Sequence, residues 1–268
     1  MELTIREAAD SDRDAVRTLC ELLDPRDYLP GAWDAWLSDS SNQMLVAHSG
    51  RTLAGCVFAA LVAPGQVFSQ GLRVHPDYRR LGVATLLMKE QGGLLRERNI
   101  HVARGVTGRD NRRARAFFQS VGWKEIATVS RRRMPQWKSS GRQTALQVPG
   151  LNSLLVSREG VAHFRRIFFA ADRAWLDERA REGRLLARDG AHVLLDPYSR
   201  AFGTWVVALA GPSAALGALL RDLSPPWSEH GGLTVEATDH FEVQSVLDDL
   251  GLQPPEAREA YVVVESMV

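Results

Sequence analysis

The segment GLRVHPDYRRLGVAT, residues 71–85, constrains the fold of this chain more than any other. A β-strand pattern is followed by a short polar loop, and Gly82 and Ala84 stand where a helix pattern begins. The first amides of a helix lack intrahelical partners and lie at the positive end of the helix dipole, which suits an anionic diphosphate. Arg79 and Arg80 add positive charge. The segment therefore predicts a phosphate-binding turn between a strand and a helix.

Strand and helix patterns alternate on both sides of this turn. The spacing predicts strands over 2–9, 43–49, 52–63, 66–74, 100–107 and 123–132, and helices over 11–23, 30–37, 81–98 and 112–120. We expect a mixed α/β fold with a central sheet.

The second half of the chain is predicted to form a separate domain. Residues 133–149 mix Pro, Ser, Gly and Gln with little periodicity, so we place domains at 1–135 and 149–268. The later patterns predict helices over 168–183, 212–223 and 241–252, and strands over 191–198, 202–210, 232–238 and 260–267. The order of elements from 202 onwards repeats that of 66–132. An internal duplication is a hypothesis based on this order alone.

The charge of the chain is divided between its halves. Its 268 residues carry 33 basic and 32 acidic side chains, a net charge of +1. Residues 1–140 carry +6 and the remainder −5. The balance disfavours a nucleic-acid binder, and the run 131–133 of three arginines has no interleaved aromatic residues. With 45% hydrophobic residues and neither a membrane-spanning run nor a signal peptide, we expect a cytoplasmic protein without membrane contact.

The cysteines and histidines do not indicate a disulfide framework, a metal site or a catalytic base. Cys20 and Cys56 are too few for a disulfide framework or a thiolate zinc site, and we expect both to be buried thiols. The histidines show no ligand spacing, so no metal is expected. His48, His75 and His101 are more typical of surface or edge positions than of a catalytic base.

Two blocks of residues resemble one enzyme family. Residues 79–84, RRLGVA, fit the R/Q-x-x-G-x-G/A signature of the GNAT superfamily of acyl-CoA-dependent N-acyltransferases. Residues 111–123, NRRARAFFQSVGW, resemble its N-x-x-A-x-x-hydrophobic-Tyr-x-x-x-G-aromatic block. The resemblance covers about residues 2–132 and implies a GNAT-like fold, with a degenerate GNAT-like copy in the second half.

The resemblance implies acetyl-CoA as co-substrate. Main-chain groups of Leu72 and Val74 would bind its pantetheine arm like an added strand, where the strand splays from its neighbour. Asn111 would face the same arm. Gly71 would assist the splay. The expected cofactor-binding residues are Leu72, Arg73, Val74, Arg79, Arg80, Leu81, Gly82, Val83, Ala84, Thr85, Asn111 and Phe118.

The usual catalytic groups of the family are missing. Phe118 stands where the family has a tyrosine general acid, so the CoA thiolate would take its proton from water or from the ammonium product. The strand QVFSQGLRV lacks the glutamate that many relatives use as a base. Catalytic residues therefore stay unassigned, with Tyr28, Asp27 and Gln70 as weak candidates.

The acceptor expected is a small molecule with a primary amine. A site without an evident base favours an α-amine, which is neutral more often than a lysine amine at pH 7. Residues 27–37 and 102–104 are similar to the histidine N-acetyltransferase group, which suggests that Tyr28 or Asp27 orients an amine and that Arg104 holds a carboxylate. Trp33 and Trp36 are more simply explained as the apolar face of a short helix.

The second half shows no second CoA signature, since residues 211–223 place no glycine pair or basic rim at the helix start. We expect acetyl transfer to a small-molecule amine, for which free histidine is one candidate, by direct attack in a ternary complex. Two alternatives stay open: a non-catalytic acyl-CoA-binding or regulatory module, and a protein or peptide N-acetyltransferase. Homodimerisation also stays open.

Overall fold

The computed structural model describes residues 2–134, 161–164, 167–170, 173–195, 204–210, 213–222, 233–238, 241–255 and 260–268. The chain forms two compact units: residues 1–105, 117–124 and 265–268 make the first, and residues 106–116 and 125–264 make the second. The linker predicted between residues 135 and 149 lies outside the described residues.

The first part of the chain alternates strands with helices as its patterns predict. In chain order the elements are β1 Thr4–Glu7, a 3-10 turn Asp10–Asp12, α1 Arg13–Leu23, α2 Leu29–Leu37, β2 Gln43–Ser49, β3 Thr52–Ala63, β4 Gln66–Val74, a 3-10 turn Pro76–Tyr78, α3 Val83–Glu97, β5 Val102–Gly108, α4 Arg112–Ser120 and β6 Lys124–Met134.

The later part contains further short elements. They are β7 Val161–Phe164, β8 Ile167–Ala170, α5 Arg173–Arg181, β9 Leu185–Arg188, β10 Ala191–Leu195, β11 Thr204–Ala210, α6 Ser213–Asp222, β12 Leu233–Thr238, α7 Phe241–Asp249 and β13 Ala260–Met267. Among the described residues, no helix is long and apolar enough to cross a membrane.

The sheet of the first unit is antiparallel except at one pair. Strands β1, β2, β3 and β4 pair in order and antiparallel, whereas β4 and β5 are parallel. Residues 265–267 of β13 follow β5. Because α3 connects the parallel pair, the start of α3 lies at the carboxyl end of β4. The phosphate-binding turn predicted from residues 71–85 is therefore placed between a strand and a helix as expected.

A buried cluster packs α1 and α2 against this sheet. Val16, Leu19 and Cys20 on α1 recur at helical spacing and are at most 2% exposed. They contact Trp33 on α2 and Cys56 on β3, which are 1% and 0% exposed. The prediction that both cysteines are buried core thiols is confirmed.

The second unit has its own sheet and core. Its strands pair in the order β6, β12, β11, β10 and β9, with β11 and β12 parallel. Leu216, Leu219 and Leu220 of α6 are fully buried and pack with Val235 of β12 and Leu247 of α7. The order β11, α6, β12, α7, β13 repeats that of β4, α3, β5, α4, β6.

The sequence predictions fail in two places of the second unit. The helix predicted over 168–183 begins only at Arg173, because Ile167–Ala170 form a strand paired with Val161–Phe164. Strands Val161–Phe164 and Leu185–Arg188 were not predicted. All three strands are four residues long, too short to show a periodicity that distinguishes a strand from a helix.

Candidate active site

The N-terminus of α3 presents uncapped backbone amides. Gly82 precedes the helix with φ +83°, and the first helical hydrogen bond runs from Leu86 N to Gly82 O. No side chain caps this end, and its first turn contains no acidic residue. The amides of Val83, Ala84 and Thr85 precede the first helical donor, so this end is suited to an anion.

The preceding loop is left-handed at two positions. Arg80 has φ +63°, an uncommon conformation for a residue with a side chain. A Cβ on Gly82 would meet nothing within 4 Å, so glycine is needed there for its backbone conformation and not for space. The two left-handed residues turn the chain from β4 into α3.

Strand β4 carries a bulge at Gly71. Gln70 lies opposite Phe58 of β3 and Arg73 lies opposite Cys56, so two residues of β4 face one residue of β3. Gly71 has φ +66°, and a Cβ on it would lie 3.2 Å from Leu29 Cδ1. The glycine is therefore required both by its conformation and by the helix α2 packed over it.

Strands β4 and β5 share only a short register. Gln66–Phe68 pair with Val102–Arg104, and β4 then continues to Val74 beyond the last paired residue. The far side of β4 stays hydrogen-bonded to β3, where Val74 lies opposite Gly55. The edge of β4 over residues 69–74 therefore leaves its pairing with β5, as the family resemblance implies.

An ion pair connects the α1–α2 loop to β4 just after the bulge. The Arg73 guanidinium donates from Nε to Asp27 Oδ2 at 2.6 Å and from Nη2 to Asp27 Oδ1 at 3.0 Å. Asp27 Oδ1 also accepts from Leu29 N at 3.0 Å. Burial alone would raise the pKa of Asp27, but the hydrogen bonds from Arg73 and Leu29 N outweigh it and the pKa lies below its usual value.

Tyr28 covers this ion pair. Its ring lies 5.8 Å from Arg73 Cζ, and its hydroxyl donates to Gln70 Oε1 at 3.4 Å. Desolvation raises the pKa of the phenol, although about half of the residue is exposed, so the phenol is protonated at neutral pH. The three residues proposed from sequence as weak catalytic candidates, Asp27, Tyr28 and Gln70, therefore lie together beside the bulge.

Aromatic rings continue from Tyr28 toward the core. Trp36 meets Tyr28 edge-on at 5.9 Å and stacks on Phe58 with the ring centres 3.8 Å apart. Trp33 is 1% exposed and lies in the core. Of the two tryptophans on α2, Trp33 is thus a packing residue, while Trp36 lines the bulge.

Arg104 is already bound to a carboxylate of the chain. Its Nη2 lies 2.6 Å from Glu265 Oε2, and its Nη1 donates to Gln66 Oε1 at 2.5 Å. The Arg104 side chain is 7% exposed, whereas that of Glu265 is 25% exposed. A substrate carboxylate at Arg104, as the sequence suggests, would have to displace Glu265. Sequence reasoning missed Glu265 because it lies 161 positions after Arg104.

Two further predicted residues have structural partners. Phe118 on α4 is half-buried with its ring 5.3 Å from that of Trp123. Asn111 precedes α4, and its Oδ1 accepts from Ala114 N at 3.1 Å, which is an N-cap contact. Ser69 on β4 is buried and donates to Gln91 of α3 at 2.8 Å, so it ties the strand to the helix.

The histidines have structural roles that are visible in their contacts. His48 Nε2 lies 3.3 Å from Asp12 Oδ1, and His75 Nδ1 accepts from Asp77 N at 3.3 Å. His101 is exposed, and its carbonyl accepts from Val268 N. None of these contacts brings an imidazole to the bulge of β4.

Comparisons with known proteins agree with this geometry. Residues 9–123 match the sequence model of the acetyltransferase (GNAT) family. The crystal structure of a presumptive acetyltransferase from Thermoplasma acidophilum superposes with a TM-score of 0.62 at 15% identity, covering 99% of this chain and 100% of that one. That likeness shows a shared fold over both units. No curated protein sequence matches this chain significantly.

Two other structures cover about half of this chain. They are the ribosomal-protein-S18-alanine N-acetyltransferase of Escherichia coli (16% identity, TM-score 0.44, covering 52% of this chain and 86% of that one) and the PaiA N-acetyltransferase of Thermoplasma acidophilum in complex with coenzyme A (16%, 0.40, 47% and 91%). Residues 9–123 of this chain are thus similar in sequence to the GNAT family of acetyltransferases, and the whole chain shares the fold of the presumptive acetyltransferase from Thermoplasma acidophilum.

Proposed function

We propose that this protein transfers an acetyl group from acetyl-CoA to the primary amine of a small molecule by direct attack in a ternary complex. The observation that carries the proposal is the uncapped start of α3 behind Gly82, at the end of a strand that leaves its parallel neighbour after Phe68. A diphosphate and an extended thioester arm need these two features side by side.

The cofactor would be held mainly by backbone. Amides between Arg80 and Thr85 would bind the pyrophosphate, with Arg79 adding charge. Main-chain groups of Leu72 and Val74 would hydrogen-bond the pantetheine arm, since the opposite edge of Val74 already pairs with Gly55 of β3.

Catalysis would come from positioning and from strand amides beside the bulge. An amide of the 72–74 segment would polarise the thioester carbonyl as the amine attacks. Phe118 carries no proton donor, so water or the ammonium product would protonate the thiolate. Because a thiol has a pKa of about 8.5, its thiolate is a tolerable leaving group without a proton donor in the site.

The acceptor is proposed to be a small α-amine. An α-amine with a pKa of about 7.7–8 is roughly 10–20% neutral at pH 7, whereas a lysine amine is below about 0.1%. The charges at the bulge also balance, because Asp27 is matched by Arg73. A balanced slot suits a zwitterion such as an amino acid, of which histidine is the candidate suggested by the sequence of residues 27–37.

The second unit is proposed to hold no cofactor and to be a degenerate copy of the first. Its parallel strands β11 and β12 stay paired over five residues, Thr204–Ala208 with Leu233–Ala237, whereas β4 and β5 pair over three. The longer pairing leaves less strand edge for a thioester arm. This matches the lack of a CoA signature near residue 212.

Thermal unfolding with acetyl-CoA tests the cofactor site. We expect millimolar acetyl-CoA to raise the melting temperature of the wild-type protein, and Gly82→Glu to abolish the rise by placing a carboxylate against the pyrophosphate. Gly122→Glu is the matched control, since Gly122 also has a positive φ, +86°, and open surroundings. An unchanged melting temperature of the wild type with acetyl-CoA would refute the assignment of a cofactor site.

A non-catalytic acyl-CoA-binding or regulatory module is the second candidate, favoured by Phe118 and by a β4 without carboxylates. It predicts the same protection by acetyl-CoA but no thiol release. A thiol-release screen of free amino acids, polyamines, aminoglycosides and peptide N-termini separates the two. Reaction with polyamines or peptides but not with amino acids would contradict the α-amine proposal and favour a different acceptor, including a protein.

A further inference from the structure

The last strand of the chain brings a carboxylate to the first unit. Val268 N donates to His101 O and Arg109 N donates to Ala260 O, both at 2.9 Å, so β13 runs antiparallel to β5 and Glu265 falls opposite Arg104. The 2.6 Å ion pair between their side chains agrees with this register. Arg104 in turn lies opposite Phe68, the last residue of β4 that pairs with β5. Glu265 is therefore level with the point where β4 and β5 part.

Glu265 lies on the same face of the sheet as Tyr28. Side chains alternate along a strand, so Gln66, Phe68 and Gln70 of β4 share one face. Gln66 accepts a hydrogen bond from Arg104, and Gln70 accepts one from Tyr28. Ser69 points to the other face, where it contacts α3. The Arg104–Glu265 pair and the Asp27–Arg73 pair thus flank the same face, one level with the parting point and the other beside the bulge.

We propose that Glu265 is the proton acceptor for the amine in acetyl transfer, an inference that rests on the proposed function. Its carboxylate is a quarter exposed on the face where the strands part, and Arg104 and Gln66 fix its position. Neighbouring strands are about 4.8 Å apart, so Glu265 on β13 lies one strand spacing from β5. Its carboxylate therefore reaches an amine bound over β4 and β5 through one water molecule.

Asp27, the carboxylate beside the bulge, is less suited than Glu265 to accept the proton. The side chain of Asp27 is 4% exposed, and its oxygens accept from Arg73 and from Leu29 N. Its pKa lies below the usual value, so its ionised form is a weak base. Phe68 and Gln70 supply no carboxylate on β4. The first unit thus obtains from β13 the carboxylate that its own β4 lacks.

The amine nitrogen forms a bond to the thioester carbon and the carbon–sulfur bond breaks, which gives an amide and the CoA thiolate. The proton lost from the amine passes through water to Glu265, and the thiolate takes a proton from solvent. Glu265 then releases its proton to solvent, which restores the carboxylate.

Glu265→Gln tests the assignment, because glutamine keeps a hydrogen-bond acceptor for Arg104 but not a base. With the best amine of the thiol-release screen, we expect kcat to fall about 100-fold. The melting temperature should fall, because the buried Arg104 loses its counter-charge, but the rise in melting temperature that acetyl-CoA causes should be unchanged. Glu125→Gln is the matched control: Glu125 also pairs with an arginine, Arg115, at 2.7 Å, and we expect wild-type turnover.

Chemical rescue separates a base from a structural carboxylate. In Glu265→Ala, formate is small enough to occupy the vacated space and should restore turnover at least several-fold, whereas chloride at the same ionic strength should not. Turnover of Glu265→Gln within threefold of the wild type overturns the proposal. A wild-type protein that acetylates no amine, or that acetyl-CoA does not protect, would instead refute the proposed function itself.

Discussion

Asp27 and Arg73 form a two-hydrogen-bond ion pair, 2.6 and 3.0 Å long, between the loop that joins α1 to α2 and the strand β4. The Asp27 side chain is 4% exposed and that of Arg73 is 24% exposed. The pair lies one residue beyond Leu72, whose main chain is proposed to bind the thioester arm. It therefore fixes the loop over the segment on which the proposed chemistry depends.

Replacing Asp27 by asparagine should destabilise the protein by about 3 kcal/mol, because it leaves the largely buried guanidinium of Arg73 without a counter-charge. Urea unfolding measures this change. Asp34→Asn is the control, since Asp34 pairs with Arg13 on the surface and should change the free energy of unfolding little. Equal effects of the two substitutions would contradict the importance of burial.

The same pair predicts an acid dependence of stability. The pKa of Asp27 is lower in the folded protein than the usual value, so its contribution is complete above the unfolded pKa of about 3.9 and is lost as the pH falls through the folded pKa. We expect the free energy of unfolding of the wild type to fall more steeply below pH 4 than that of Asp27→Asn. Parallel curves for the two proteins would refute the linkage.

Local patterns predict most of the first unit from sequence. Glycine at 71 and 82 indicates a bulge and a helix start, and both have a positive φ in the structure. The backbone conformation at each is a local property that a sequence indicates directly, whereas the contact of Gly71 with Leu29 is not local.

Contacts between distant segments are not visible in the sequence. The pairing of Asp27 with Arg73 spans 46 positions, and that of Arg104 with Glu265 spans 161. The sequence therefore predicts Arg104 as a ligand for a substrate carboxylate and gives no sign that Glu265 pairs with it. The backbone of Gly55 on β3 also approaches Arg73 O of β4 so closely that a Cβ would lie 2.7 Å from it. This approach depends on how β3 packs against β4, which hydrophobic periodicity does not show.

Gly55 should tolerate no side chain. A Cβ there would lie 2.7 Å from Arg73 O and 3.1 Å from Val83 Cγ1, so β3, β4 and α3 would have to move apart. We expect Gly55→Ala to cost about 1–3 kcal/mol in urea unfolding. Gly31→Ala should instead stabilise by about 0.5–1 kcal/mol, because Gly31 lies in α2 with open surroundings. Stabilisation by both substitutions would disprove the close approach at Gly55.

The two cysteines should be unreactive in the folded protein. Burial raises the pKa of Cys20 to about 11 and that of Cys56 to about 12, so the thiolate of Cys20 is on the order of one part in a thousand at pH 8. We expect a thiol reagent at pH 8 to label neither residue until urea unfolds the chain. Acetyl-CoA should slow labelling at intermediate urea concentrations. Rapid labelling of the native protein would contradict the burial of both thiols.

Phe118→Tyr should speed turnover by supplying the proton donor that the family motif places here. The Phe118 ring packs 5.3 Å from that of Trp123, and tyrosine keeps this packing while adding a hydroxyl that protonates the leaving thiolate. We expect kcat to rise several-fold, with the melting temperature and the KM for acetyl-CoA unchanged. Phe117→Tyr, at the adjacent half-buried ring, is the control and should give no gain. An unaltered kcat in Phe118→Tyr would mean that protonation of the thiolate does not limit the reaction.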